Sequence, residues 1–244
     1  MATEIHTETV TYSAGSATLR GYRATPAGAD HAPAVLVIHE WWGLNDYVRG
    51  RADQLARLGY VAFAPDMYGD GRTAGSPAEA SALMNGVLSD IPAATERLRA
   101  AYEQAKASPG VDPARVAAIG YCFGGAMVLH AARIGLPLAG VVSFHGALGS
   151  AHTPAPGSVK AKVLVLHGAA DALVPEADVA AFKQEMEAAG ADYEFIAYAG
   201  ALHGFTNPDA TAKGQQYGLP LAYDKATDER SWHDMLHFFE RIFA

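Results

Sequence analysis

One thiol, one imidazole and one carboxylate in this chain stand where they could attack a carbonyl together. The thiol is Cys122, the single cysteine of 244 residues, in the stretch GYCFGG. An apolar run, RVAAIG, precedes it and a helix-like run, AMVLHAAR, follows. Gly120-Tyr121-Cys122-Phe123-Gly124 therefore reads as G-x-C-x-G between a strand and a helix. That is the strained turn that lifts a nucleophile clear of a sheet, with sulfur in place of oxygen. The glycines remove Cβ atoms that would collide as the chain reverses, and a helix N-terminus stabilises a thiolate. Such a nucleophile needs a base, and the base needs an acid to orient it. Asp171, in VLVLHGAADALVP, and His203, in FIAYAGALHGF, each follow an apolar run and supply both. The bland alternatives are a packed structural cysteine, a turn-forming aspartate and a surface-loop histidine.

The elements that would position these groups are legible around them. TETVTYS and ATLRGYRAT alternate on either side of AGS, which predicts an N-terminal hairpin. APAVLVIHE and YVAFAP read as strands buried on both faces. Between them, Leu44, Val48, Leu55 and Leu58 have helical spacing, closed by Gly59. A glycine-rich loop, DMYGDGRTAGSP, leads to a long helical stretch broken near Ser89 to Pro92. RVAAIG, LAGVVSFHG, AKVLVLHG and DYEFIAYAG read as further strands. Helical runs separate them where a parallel crossover needs one, and TDERSWHDMLHFFERIF predicts a last helix. The alternation from residue 34 onward predicts an α/β fold with a mostly parallel central sheet and helices on both faces. No linker, repeat or low-complexity segment divides residues 1–244, so one domain is expected.

Composition excludes several classes. Half the residues are hydrophobic, the formal net charge is -8 and no basic run occurs, so nucleic acid is not an expected partner. A lone cysteine cannot form an internal disulfide. The polar start, MATEIHTETV, lacks a signal-peptide core, and no apolar stretch approaches a bilayer span. A cytoplasmic protein, away from membranes, is expected. His39, His145 and His167 each end an apolar run, yet their spacing fits no compact ligand motif. They are expected to support the site or to be packed, with no metal and no cofactor. His233 and His237 lie four apart, but HDMLH lacks the glutamate of a zinc helix. GDGRTAG has the wrong glycine spacing for a dinucleotide loop. Trp41 and Trp42 read equally as pocket lining and as core.

VIHEWWGLND, GYCFGG, HGAADALVP and ALHGF, in this order and spacing, resemble the dienelactone hydrolase family of α/β-hydrolases. The resemblance covers nearly the whole chain. It implies hydrolysis of a small-molecule ester or lactone by a monomer or small homo-oligomer. Cys122 would be the nucleophile, His203 the base and Asp171 the residue that orients it, in the chain order usual for that fold. Glu40 matches the strand-end glutamate that contacts the resting thiol. The backbone N–H groups of Trp41 and Phe123 would form the oxyanion hole. Trp42, Asn207 and Arg72 are the expected substrate-binding positions. One departure stands out: Asn207 occupies the place of an arginine that grips the substrate carboxylate in dienelactone-cleaving members, and Arg72 only loosely matches a second. The rival reading is a non-catalytic or redox-sensing thiol protein on the same scaffold, since fold alone does not fix function.

Overall fold

A computed structural model describes residues 3–244. Its strands follow the hydrogen-bonded order β1-β2-β4-β3-β5-β6-β7-β8, with an antiparallel hairpin at the N-terminal edge. The chain falls into two compact parts, one ending at Ile119 and one running from Gly120 to Ala244.

In the first part, β1 (Ile5–Ala14) and β2 (Ala17–Pro26) pair antiparallel around Gly15, whose φ of 55° makes the tight turn. β3 (Ala32–Ile38) and β4 (Val61–Ala64) pair parallel. All four residues of β4 are buried, as are six of the seven in β3. Their continuous apolar runs are the signature of strands covered on both faces. α1 (Asp46–Arg57) packs against β2 and β4, and Asn45 caps it by accepting from the Val48 N–H. Leu58 is the C-cap and Gly59 follows at φ 98°, so the helix closes where the sequence predicts, but Leu58 is 51% exposed and drops out of the buried stripe. α2 (Pro77–Leu88) and α3 (Ile91–Lys106) are separate helices. The break is set by Asp90, which accepts from the Ala93 N–H, and by Pro92 in the first turn of α3. β5 (Val111–Tyr121) carries the chain out of this part.

In the second part, β6 (Gly140–Phe144), β7 (Lys162–Gly168) and β8 (Tyr193–Tyr198) form a parallel ladder in sequence order. α4 (Phe123–Arg133) lies on β6, and α7 (Lys225–Ile242) on β6 and β7. α5 (Glu176–Ala188) provides the crossover from β7 to β8. Arg133, at the end of α4, is buried and grips Glu185 of α5 through two hydrogen bonds of 2.9 and 2.7 Å. It also donates to the Leu148 carbonyl at 2.7 Å. This fork fixes the helix that opens immediately after Cys122. α6 (Ala210–Tyr217) was not legible as a helix; its eight residues carry no side-chain cap and bury only Ala210 and Gly214. His233 and His237 point to solvent from α7, as an ordinary helix face would.

Candidate active site

Cys122 occupies the junction of β5 and α4 with φ 53° and ψ -114°, a conformation that L-residues rarely adopt. The surroundings impose it. The Cys122 N–H donates to the Phe144 carbonyl at 3.0 Å, and its own carbonyl accepts from Ala126 at 3.1 Å. A Cβ on Gly120 would lie 2.0 Å from the Gly124 carbonyl oxygen. One on Gly125 would lie 2.7 Å from the Ser143 hydroxyl and 2.8 Å from the Gly146 Cα. Only glycine lets strand, turn and helix approach this closely. The Cys122 side chain makes no capping bond to α4 and is partly exposed.

Asp171 and His203 meet in the same part of the chain. His203 Nδ1 lies 2.8 Å from Asp171 Oδ2, with both residues buried. The other carboxylate oxygen accepts from the Leu173 N–H at 2.9 Å, which leaves the aspartate little freedom to turn. The two loops are stitched by backbone bonds, Ala169 to the Tyr198 carbonyl at 2.9 Å and Ala170 to the Ala201 carbonyl at 3.0 Å. The His203 carbonyl accepts from Ala222 at 3.2 Å. On its other side the His203 ring is hydrogen-bonded to Cys122. Burial alone would lower the His203 pKa. The charge and hydrogen bond of Cys122, with those of Asp171, outweigh it and push the value up to about 10. An imidazole held between two groups that become anionic is built to carry a proton.

The remaining expected residues divide between the two parts. In the first, Glu40 and Trp42 are buried and Trp41 is partly exposed. The two indole rings meet edge to face at 5.0 Å. The Trp41 carbonyl accepts from the Tyr68 hydroxyl at 2.8 Å, and the Trp42 carbonyl from the Ala74 N–H at 3.0 Å. Arg72 donates to the backbone carbonyls of Gly69 and Tyr68, tying down its own loop. Phe123, in the second part, opens α4 and is buried. Asn207 is 2% exposed, and its side-chain oxygen accepts from the Asp209 N–H at 2.9 Å. There it shapes the turn into α6.

The strand-end histidines have distinct environments. His39 is fully buried; Nδ1 donates to the Glu40 carbonyl at 2.6 Å and Nε2 accepts from the Met67 N–H at 3.2 Å. That pattern fixes a neutral tautomer, and burial pushes the pKa down to about 4. His145 pairs through Nε2 with the Thr206 hydroxyl at 2.7 Å. Burial lowers the pKa of His167, with opposing effects from its neighbours Asp171 and His203. No group of three or more histidine, cysteine, aspartate or glutamate side chains converges on one metal-sized point among the described residues. Sequence reasoning placed these histidines near the strand ends but had no signal for the His145–Thr206 pairing, which joins residues 61 apart.

The dienelactone hydrolase family model matches residues 19–243. The chain belongs to the dienelactone hydrolase family. Among its relatives is a Methylorubrum extorquens protein provisionally named a carboxymethylenebutenolidase. It is 32% identical over 194 residues, covering 75% of this chain and 67% of the relative. A dienelactone hydrolase-like promiscuous phosphotriesterase, P91, from metagenomic libraries is 35% identical with a TM-score of 0.88, covering 98% of both chains. The structure called m3DLH is 36% identical with a TM-score of 0.91, covering 98% of this chain and 99% of the other. Family membership makes this a dienelactone hydrolase-like hydrolase with the α/β-hydrolase fold. No helix among the described residues is long and apolar enough to cross a membrane.

Proposed function

We propose that the protein hydrolyses a small carboxylic ester or lactone through a thioester on Cys122. The observation that carries this reading is the single hydrogen-bonded line from Asp171 through His203 to Cys122, with the cysteine held at positive φ. In the first half-reaction the thiol proton resides on His203, and the sulfur adds to the carbonyl carbon. The carbonyl electrons move to oxygen. Backbone N–H groups of Phe123 and, by the family pattern, of Trp41 stabilise that oxyanion, a type of interaction worth about 3–4 kcal/mol per donor. The intermediate collapses, and the leaving alkoxide takes the proton from His203. In the second half-reaction, water gives a proton to His203 and adds to the thioester. The thiolate departs and the acid is released. Asp171 holds the ring and stabilises its charged form throughout.

Turnover of a chromogenic short-chain ester by Cys122→Ala, Asp171→Asn and His203→Ala tests the triad, with circular dichroism to establish folding. Each variant is expected to lose orders of magnitude in kcat, and the losses are not additive because the groups act as a unit. Wild-type turnover by folded Cys122→Ala would refute the nucleophile, and absence of turnover by the unsubstituted protein would favour the non-catalytic or redox-sensing thiol reading.

One comparison favours a second activity. The phosphotriesterase similarity extends over 98% of both chains. A thiolate that attacks a planar carbonyl can also attack the phosphorus of a neutral triester, expelling an aryl alcohol. Release of a nitrophenol from a dialkyl nitrophenyl phosphate, absent in Cys122→Ala, is the expected result. No release above buffer would restrict the site to carbonyl substrates.

A further inference from the structure

Behind the His203 ring lies a second imidazole that the reaction scheme does not use. His145 follows β6, is fully buried, and sits at φ 40°. A non-glycine residue in the left-handed region persists only where its surroundings over-determine it. Here they do. The His145 N–H donates to the Leu166 carbonyl at 2.9 Å. The side chain reaches across to the loop after β8, where Nε2 meets the Thr206 hydroxyl at 2.7 Å. The His145 ring packs edge to face against the rings of His203, at 5.2 Å, and Phe205, at 5.1 Å. Tyr121, the residue before Cys122, lies behind it at 6.1 Å and stacks on Phe144 at 4.7 Å. One imidazole thus touches the base, the loop that carries the base, and the strand end that carries the thiol.

We infer that His145 is a positioning residue for His203, holding the 203–206 loop through Thr206 and the imidazole through ring contact. The inference rests on the reading of His203 as the base. His203 has Asp171 behind it and Cys122 in front, and neither hydrogen bond alone prevents the ring from swinging about its Cβ–Cγ bond. The buried His145 ring, packed edge to face with it, narrows that swing, and the Thr206 bond sets where the His145 ring stands. Another titratable group near this ensemble is His167, which feels the charges of Asp171 and His203. Tyr121 and Phe205 are the remaining aromatic neighbours of His145. A loosened His203 keeps its partners but meets them less often in line. Its charged form is then less stabilised by Asp171, and its apparent pKa falls.

The test uses two substitutions at opposite ends of one bond. His145→Phe keeps a ring but loses the Thr206 bond, and Thr206→Val loses it from the other side. Each folded variant is expected to lose about tenfold to 100-fold in kcat, as small misplacements of reacting groups do. KM for a short-chain ester should change little. The alkaline limb of the kcat/KM profile, where His203 gives up its proton, should move to lower pH in both variants, and the double variant should be no worse than the poorer single. Threonine 206 replaced by serine (Thr206→Ser), which keeps the hydroxyl, should restore wild-type behaviour. An unchanged kcat in either folded single variant, or a lower kcat with an unmoved alkaline limb, would overturn the positioning role. Cys122→Ala, assayed alongside, separates the two levels: if it is inactive, failure of His145→Phe to matter condemns only this inference.

Discussion

At the residue scale, the chain uses histidine for opposite purposes, one in each of its two parts. His203 is held so that it accepts a proton readily, and His39 so that it does not. Both of His39's nitrogens are engaged by backbone, and protonating Nε2 would break the bond from Met67. This gives a stability prediction. The folded-state pKa of about 4 lies below the ordinary value of 6.5, so between these limits the unfolded chain binds more protons. His39 therefore contributes its full stability above pH 6.5, and the contribution is lost as pH falls toward 4. The loss amounts to about 3 kcal/mol at most. Urea unfolding between pH 7 and 4 should show this slope, and His39→Gln should flatten it while lowering stability at pH 7. An identical slope in the variant would assign the acid sensitivity to other groups.

At the element scale, the turn between β5 and α4 is the part of the fold with least tolerance. An alanine at Gly120 would place Cβ 2.0 Å from one backbone atom and 2.2 Å from another, and neither can move without displacing α4. Gly120→Ala is expected to cost more than about 4 kcal/mol, in the range reserved for a specific structural failure. Gly190→Ala is the control: its φ is 63°, nothing lies near the added methyl, and the cost should be about 1–2 kcal/mol. Thermal melts of the two variants compare them directly, and similar losses would deny the turn its special rigidity. Much of this element was legible beforehand, because G-x-C-x-G between an apolar run and a helical run has few structural solutions. The parallel strands were legible because their apolar runs are continuous, and the break between α2 and α3 because Asp90 and Pro92 mark it. α6 escaped because it is short, polar and stabilised mainly by what surrounds it. The His145–Thr206 bond escaped because a contact between distant loops leaves no mark on local pattern.

At the scale of the whole molecule, net charge and the two expected substrate-binding side chains, each in its own part of the chain, lead to a prediction about substrate choice. The net charge is -8, which offers no general attraction to an anion. Asn207 brings a neutral amide where the family resemblance implies an arginine in dienelactone-cleaving members, and that amide is buried and bonded to the Asp209 backbone. Arg72 is anchored by its own loop through Gly69 and Tyr68. A carboxylate entering without a cation to receive it loses its hydration uncompensated. A matched pair of aryl esters, one with a free carboxylate and one with it methylated, should show higher kcat/KM for the neutral member. Added salt should narrow the gap by screening the long-range part of the repulsion. Preference for the charged member would mean that a cation other than a residue at position 207 receives the carboxylate.

The central claim is that the acyl group passes through sulfur, and intact-protein mass measurement tests it most directly. The enzyme is mixed with excess activated ester, quenched in acid within the first turnovers, weighed, and digested to locate the adduct. The expected result is a mass increase equal to one acyl group, on the peptide containing Cys122, that is discharged by hydroxylamine and absent in Cys122→Ala. An acyl group carried instead by a serine or lysine peptide, with turnover persisting in Cys122→Ala, would contradict it.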